Sequence, residues 1–592
     1  MRAPALLSVL SACLALVAQG AAPKTFRQWI AGQEVGGAST SVRMEGADRV
    51  VVSREWQALT RMGMTIRQEA DETARRAPDG HLTFTWRVLL SEEPFEGVAE
   101  WSPRTPNVLQ LRPRNGAPVE KAIPEGAILW PEDLDARLQE AARLGRPVRA
   151  VTFSFPTQQW STVELDPKGS DPLPGFPDAI HFTGHETEGT TQAPMESWIS
   201  PTAGEVRQSS ELGGLSLFTQ RSELPVPPGI GKPTAGFFEQ TLQTVPPHPF
   251  LPWLQEVILR AEGSAPDLKE DAQQRRLPDG RWRLRRAAGP TPAEAVEPPV
   301  QGKPSPEDLP YLAATPLVPY RDPAFVGLIR RMALPPGFSR WELARRVTDF
   351  VFEWITDKDF SVGFASALEV CRHPKGDCTE HGVLAVALLR RLGVPARGVT
   401  GWVALDGMMG LHFWVEVKLG SRWIPVDPTF DQAPASAFRI KLGDSDLADL
   451  GSVGWEGAAL AFTGVRWLPV GDGTPAWGGG IRVEGDRVIS PDGSQLRLPG
   501  GRWDWRAGRL SMRSALGGPW TVQATLRPDE SQLRGTHHLA GARTLREGWW
   551  DPASSSLWMP LPRHRWLRVE GIPEAASYGL LDQIGAGTGT AD

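Results

Sequence analysis

The segment 376–381, Gly-Asp-Cys-Thr-Glu-His, and the pattern after it constrain the fold most strongly. Apolar residues recur at helical spacing after Cys378, and Gly393 and Pro395 are typical of a helix end. We therefore expect a helix with Cys378 in its first turn. Unpaired amides and the positive end of the helix dipole favour a thiolate there, and we expect the same amides to hold an oxyanion.

Two strand patterns follow this helix. Residues 411–417 are rich in β-branched and aromatic types and place His412 on one face, and residues 423–428 form a shorter strand that ends at Asp427. Gly420 and the serine after it predict a hairpin that sets Asp427 beside His412. A carboxylate bound to one imidazole nitrogen leaves the other nitrogen for the thiol proton, so the pattern predicts covalent thiol catalysis.

These motifs resemble the core of the transglutaminase-like superfamily over about residues 305–440. The resemblance implies a papain-like α+β core in which a helix carries the cysteine and an antiparallel sheet carries the histidine and the aspartate. It implies Cys378, His412 and Asp427 as the catalytic triad. It also implies acyl transfer from a protein or peptide amide through a thioester, with either an amine or water as the acceptor.

The sequence departs from the usual family pattern at two positions. Phe413 follows the histidine where a small residue or Met is more frequent, and Gly382 follows His381 where Ala or Ser is frequent. Either change could alter the acyl pocket. Neither change removes a catalytic group.

Other interpretations of these residues stay open. Cys378 and His412, taken singly, are also typical of a buried thiol and a satisfied core histidine. Cys371, His373, Cys378 and His381 contain potential zinc ligands, but zinc sites prefer other spacings, so we expect no metal and no cofactor. Glu380 and His381 are expected to shape the first helical turn. Cys371 is expected to be buried and inert, and a reversible disulfide with Cys378 is the alternative.

Length and composition predict a multidomain α+β protein with β-rich flanks. The chain has 592 residues, enough for about three or four domains, and its net charge of −6 gives no reason to expect a nucleic-acid partner. The sequence does not indicate an oligomeric state. The predicted divisions are a signal peptide at 1–20, a β-rich domain at 25–224, a Pro-rich linker with a connecting β segment at 225–304, the catalytic domain at 305–440, a β-rich, Trp-containing region at 441–584 and a disordered tail at 585–592.

The amino terminus predicts export to the periplasm or the medium. A charged start, an apolar stretch and small residues before position 20 are typical of a signal peptide. Residues 10–13, Leu-Ser-Ala-Cys, resemble a lipobox, which makes a lipoprotein anchored through Cys13 the alternative. No other stretch is long and apolar enough to span a bilayer.

Local signals in the flanks predict individual elements. An amphipathic helix is expected over Pro131–Leu144, a hairpin tip at residues 45–48, and a helix start at residues 339–342, where Ser339 and Glu342 form a capping box. The region 25–224 weakly resembles the β-rich amino-terminal domain of some exported bacterial transglutaminase-like proteins. A catalytically silent scaffold whose flanks bind partners is the alternative to an enzyme.

Overall fold

The computed structural model describes residues 23–448 with gaps at 62–63, 115, 117, 127, 156, 189–190, 213–214, 224–225, 227–241, 245–253, 264–267, 358–363 and 406–407, and beyond 448 it describes only strand backbone between 465 and 570. The predicted signal peptide, Cys13 and the tail at 585–592 lie outside the described residues. Among the described residues, strands hold 48% and helices 17%, so the described part of the chain is β-rich.

The N-terminal sheet is an antiparallel meander of fourteen described strands. Its order is β8-β7-β6-β5-β4-β3-β2-β1-β14-β13-β12-β11-β10-β9, so the first strand pairs with the last and lies in the middle of the sheet. The strands are β1 Lys24–Ile30, β2 Gln33–Glu45, β3 Asp48–Arg61, β4 Met64–Arg76, β5 Leu82–Leu89, β6 Phe95–Trp101, β7 Val108–Pro113, β8 Val119–Ala122, β9 Val148–Ser154, β10 Gln159–Ser170, β11 Ile180–Glu188, β12 Thr191–Ser200, β13 Gly204–Leu212 and β14 Leu215–Ser222.

Local sequence signals explain several of these elements. Alternate residues of β5 are buried, as its period-two pattern predicts, and β2 and β3 meet at a hairpin whose Gly46 has a φ of 62°. The predicted helix Pro131–Leu144, here α1, is confirmed, and Gly145 ends it in the left-handed conformation. This helix packs against β9, β12 and β13, and its Asp135 forms a buried ion pair with Lys24.

The central region combines short helices with a second antiparallel sheet. Its helices are α2 Pro292–Ala295, α3 Leu309–Leu312, α4 Ala324–Arg331, α5 Arg340–Trp354, α6 Ala367–Arg372 and α7 Cys378–Arg391. The strands of this central sheet are β15 Gln243–Thr244, β19 Ala396–Leu405, β20 Met408–Leu419, β21 Arg422–Val426 and β22 Arg439–Ser445, in the order β15-β20-β19-β22 with β21 also on β20. Ser339 caps α5 through the predicted capping box. Helix α7 packs against α5, β19 and β20.

A third sheet covers part of the central sheet. It contains β16 Leu254–Gly263, β17 Gln274–Arg276, β18 Trp282–Arg285, β23 Val465–Pro469 and β24 Thr474–Pro475. Trp282 and Leu284 of this sheet share a buried apolar cluster with Trp402 and Phe438. The buried Gln274 side chain bonds both the backbone N–H and the backbone C=O of Lys441, which ties the two sheets together.

Later strands form two further sheets with predominantly hairpin connections. They are β25 Arg482–Glu484, β26 Arg487–Ile489, β27 Gln495–Arg497, β28 Arg502–Arg506, β29 Arg509–Arg513, β30 Thr521–Arg527, β31 Arg543–Leu545, β32 Gly548–Asp551, β33 Ser556–Leu561 and β34 Arg565–Glu570. Strands β25 and β26 pair antiparallel, with Arg482 opposite Ile489.

The N-terminal sheet and the central helices share one apolar core. Phe84 and Phe155 of the N-terminal region belong to the same buried cluster as Phe325 and Val347 of the central region. A polar contact lies beside it, where Glu369 of α6 accepts hydrogen bonds from the Ser91 hydroxyl at 2.7 Å and the Glu92 amide at 2.9 Å. In the part of the chain that is described, no helix combines the length and apolarity needed to cross a membrane.

Candidate active site

Cys378 is the first residue of α7, as the helical spacing predicts. Asp377 caps the helix, and the Glu380 carboxylate accepts hydrogen bonds from the Asp377 amide and from the Ala365 amide at 2.9 and 3.0 Å. Gly376 has a φ of 135°, and a Cβ atom there would lie 2.3 Å from the Glu380 side chain. The turn before Cys378 therefore requires glycine and is fixed by a buried carboxylate.

The amides near Cys378 differ from our expectation. The Asp377 side chain accepts hydrogen bonds from the amides of Thr379 and Glu380 in a capping box. These two amides are therefore engaged, so they are not the unpaired donors that we expect at this helix start. The carboxylates of Asp377 and Glu380 also oppose the positive end of the helix dipole, which weakens its stabilisation of a thiolate. Sequence reasoning missed this because it treated the helix start as uncapped.

The predicted hairpin brings His412 and Asp427 together. Strands β20 and β21 pair as far as Val415 opposite Val426, and Asp427 follows directly. The His412 Nε2 atom lies 2.7 Å from Asp427 Oδ2, and both side chains are buried. Because Nε2 is held by the carboxylate, Nδ1 is the ring nitrogen that remains for proton exchange with a thiol. Cys378 belongs to α7, the helix that packs on β20.

The loop after Asp427 fixes its carboxylate. The Thr429 amide donates to Asp427 Oδ1 at 2.9 Å, and the backbone groups of Asp427 and Gln432 bond each other at 2.7 and 3.0 Å. Burial disfavours the charged carboxylate, but His412, Arg439 and the Thr429 amide outweigh it and hold the pKa of Asp427 far below its usual range. Asp427 is therefore ionised at every pH at which the protein would work.

Burial also controls His412. Burial of the ring lowers its pKa below the ordinary 6.5. The Arg439 charge acts in the same direction, whereas Asp427 opposes both. A neutral imidazole is the form that accepts a proton. The ring is further held by Phe430, which stacks at 4.6 Å between centroids and 5° between planes.

Gly382 and Phe413, the two positions at which the sequence departs from the usual family pattern, are in direct contact. A Cβ atom on Gly382 would lie 2.4 Å from the Phe413 ring, and Phe413 is fully buried. The larger residue on β20 thus fills the space that a side chain on α7 would occupy. The departures form one packing adjustment between the helix that carries Cys378 and the strand that carries His412.

The other residues near Cys378 have structural roles. His381 is fully buried and its Nδ1 atom lies 2.5 Å from the Asp377 carbonyl oxygen, so it stabilises the helix start as predicted. Cys371 and Cys378 are not joined by a disulfide, and burial raises the pKa of Cys371 to about 11, so its thiolate is disfavoured. Within the described residues there is no grouping of three or more acidic, His or Cys side chains suited to a metal.

A buried ion network lies further along the same sheet. Glu416 accepts hydrogen bonds from Arg397 at 2.6 and 2.8 Å and from Lys441 at 3.0 Å, and Asp444 accepts from Arg397 at 2.8 Å. Arg397 also lies over the Trp423 ring at 4.1 Å. The network ties β19, β20 and β22 together beside the candidate site. It was missed from the sequence because its members are distant along the chain.

Comparisons with known proteins give one family match and two similar structures. Residues 330–428 match the model of the transglutaminase-like superfamily. A candidate cysteine protease from Cytophaga hutchinsonii has a similar structure, with 15% identity over 38% of this chain and 90% of that chain and a TM-score of 0.25. A β-barrel-like protein of unknown function from Brucella abortus shows 9% identity over 35% of this chain and 97% of that chain, with a TM-score of 0.28. No curated protein matches the chain. The expected resemblance to the transglutaminase-like superfamily is therefore confirmed for residues 330–428.

Proposed function

We propose that the protein is an exported thiol enzyme with a papain-like core that transfers the acyl group of a protein or peptide amide through a thioester on Cys378. The observation that carries this proposal is the buried His412–Asp427 contact of 2.7 Å on the sheet against which the Cys378 helix packs. The superfamily match supports the same conclusion. The proposed catalytic domain spans 305–440, between the other predicted divisions of the chain.

The proposed reaction uses three side chains. His412 Nδ1 accepts the thiol proton as the Cys378 sulfur attacks the amide carbonyl carbon, and the protonated ring then gives that proton to the departing amine. Asp427 holds the ring and stabilises its charged form. Water or an amine next attacks the thioester and passes its proton to His412, which returns it to the sulfur as the acyl product leaves. No cofactor is needed for these steps.

The test measures how fast Cys378 reacts with iodoacetamide at pH 7.5, by mass spectrometry of the reduced protein. We expect Cys378 to react faster than Cys371, and His412→Ala to slow it by at least about 10²-fold, the lower end of the range for base catalysis. Cys371→Ala is the matched control and should leave the rate at Cys378 unchanged. A Cys378 rate that is independent of His412 would contradict the proposal.

The acceptor is assigned by a second assay. The reduced protein is incubated with casein and a labelled primary amine, and amine incorporation, ammonia release and new amino termini are measured together. Incorporation assigns a crosslinking transferase, whereas ammonia or new amino termini without incorporation assign a hydrolase. Each product must be absent with Cys378→Ala.

The second candidate function is a silent scaffold that binds partners through its β-rich flanks. The capping of the Thr379 and Glu380 amides favours it, because those donors are engaged by Asp377 and cannot stabilise a transition state. A Cys378 that reacts at an ordinary thiol rate, together with no thioester on any amide substrate, would favour this candidate over the enzyme.

A further inference from the structure

A buried arginine contacts the aspartate of the proposed triad. Arg439 lies at the start of β22, twelve positions after Asp427, and its side chain is 5% exposed. Its Nη1 atom is 2.7 Å from Asp427 Oδ2, the oxygen that also contacts His412. Its Nη2 atom donates to the Gln432 Oε1 atom at 2.7 Å. Two groups that can be positive therefore share one carboxylate oxygen.

The aromatic rings of the site hold this arginine in place. The guanidinium carbon lies 5.6 Å from the Trp414 ring centre and 5.7 Å from the Phe430 ring centre. Phe430 also stacks on His412. These rings therefore restrain both the His412 ring and the Arg439 guanidinium. They also limit how far the two groups can move apart.

The charges that face His412 can be followed element by element. Gly401 of β19 lies opposite His412 and has no side chain, Asp427 follows β21, and Arg439 belongs to β22. Helix α7 contributes the Cys378 thiol, which takes part in the proposed chemistry. Glu416, on the same face of β20, is paired with Arg397 and Lys441. In the described part of the chain, Asp427 is the anion in contact with His412, and it is shared.

We propose that Arg439 is a positioning residue that acts through Asp427: it holds the carboxylate and competes with a protonated His412 for it, so that Cys378 and His412 rest as a neutral pair. An arginine stays charged at all working pH values, so this competition is permanent. Burial and the arginine both act against the charged ring, in agreement with the lowered pKa of His412. This inference rests on the proposed function. Its consequence is that Cys378 gives its proton to the neutral His412 ring as the sulfur attacks an electrophile, rather than beforehand.

The test is the pH dependence of iodoacetamide labelling at Cys378 in the full chain, compared between the natural protein, Arg439→Gln and Arg439→Lys. Loss of the charge should stabilise a thiolate–imidazolium pair and move the labelling midpoint about one pH unit lower, the size expected for one nearby charge. Arg439→Lys keeps the charge and should keep the midpoint. Arg397→Gln removes another buried cation of the same sheet and should also keep it.

The outcomes separate this inference from the proposed function. A midpoint that is unchanged in folded Arg439→Gln, with labelling still slowed by His412→Ala, would overturn the role of Arg439 alone. If Arg439→Gln does not fold, a midpoint that falls in Arg439→Lys would equally overturn it, because the charge is retained there. Labelling that is independent of His412 would instead contradict the proposed function.

Discussion

The N-terminal sheet and the central sheet hold several of their acids in different surroundings. In the central sheet, Asp427 contacts His412 and Arg439, and Glu416 contacts Arg397 and Lys441. In the N-terminal sheet, burial outweighs all other effects on three carboxyl groups. It raises the pKa of Glu55 to about 7 and those of Glu72 and Glu186 to about 8.

The neighbours of Glu55 and Glu72 explain why their pKa values are raised while that of Asp427 is lowered. Glu55 accepts hydrogen bonds from the amides of Gln28 and Gln57, and Glu72 experiences the charge of Glu55 rather than that of a cation. Amide donors stabilise a carboxylate less than a guanidinium does. Asp427 and Glu416 therefore have cationic partners, whereas Glu55 and Glu72 have amide or carboxyl neighbours. The N-terminal region also contains one buried charge pair, Lys24–Asp135, where α1 packs on the sheet.

This difference gives the two regions opposite pH dependences. An acid with a raised pKa keeps its proton in the folded state after the unfolded state has lost it, so the N-terminal sheet loses stability as pH rises from about 4.5 to about 8. The lowered pKa values of Asp427 and His412 have the opposite sign. They stabilise the central region at neutral pH, and this stability is lost as the pH falls below 6.5 and then below 3.8.

The largest expected effect is that of Asp427→Asn, which removes the central anion of the paired region. We expect the acyl-transfer rate to fall by about 10³–10⁴, because the ring loses the group that sets its tautomer. The variant also leaves Arg439 buried without its anion, which should lower the free energy of unfolding by about 3–5 kcal/mol. Turnover and urea unfolding measure the two effects. Asp308→Asn, which removes an acid paired with Lys418 outside the site, is the control, and equal losses in both variants would contradict the role of Asp427.

Glu416→Gln tests whether pairing in the central region also matters away from the site. Arg397 and Lys441 would lose a shared buried anion, and we expect a loss of about 3–5 kcal/mol in the free energy of unfolding. Urea unfolding at pH 7.5 measures it. A neutral or stabilising result would mean that the network contributes geometry without stability, and the contrast with the N-terminal sheet would then fail on energetic grounds.

Gly382→Ala separates packing from charge. A methyl group at this position would overlap the Phe413 ring, and we expect a loss of about 1–3 kcal/mol that does not change with pH. The double variant Gly382→Ala with Phe413→Leu should lose less than the sum of the two single variants, because the new methyl group fills the vacated space. Additive losses in thermal unfolding would show that the two departures are not coupled.

The smallest expected effect is that of Glu72→Gln, and its sign is the opposite of Glu416→Gln. Removing an acid that resists ionisation should raise the free energy of unfolding by about 1–2 kcal/mol at pH 8.5 and hardly at all at pH 5. Hydrogen exchange of β3 and β4, corrected for intrinsic rates, measures it locally. A gain of equal size at both pH values would refute the link to titration.

The sequence predicted those parts of the fold that short-range signals determine. Ser339 and Glu342 indicated the start of α5, Gly420 indicated the hairpin between β20 and β21, and the spacing after Cys378 indicated α7. The hairpin brings His412 and Asp427 together because their separation is set by two strands and one tight turn. For the same reason these two site residues could be proposed before their geometry was known.

Long-range pairings could not be predicted in the same way. Nothing local to β1 indicates that it pairs with β14, and nothing near β15 indicates that it joins the sheet of β20. Arg439 was missed because a solitary arginine in a strand is ordinary, and its meaning depends on a carboxylate across the sheet. The capping role of Asp377 carried a visible signal, since Asp377 and Glu380 have capping-box spacing, but only Glu380 and His381 were assigned to the shape of the first helical turn.

The apolar core shared by Phe84 and Phe155 with the central helices limits how such a protein can diverge. Domains joined by a flexible linker can be exchanged between genes. The N-terminal sheet and the central region instead meet through a buried apolar interface and through the Ser91–Glu369 hydrogen bond. A recombination event that replaced the N-terminal sheet would expose the central region's side of that apolar interface. We therefore expect the two regions to be inherited together. Substitutions at the interface in the N-terminal sheet would then be selected through their effect on the activity of the central region.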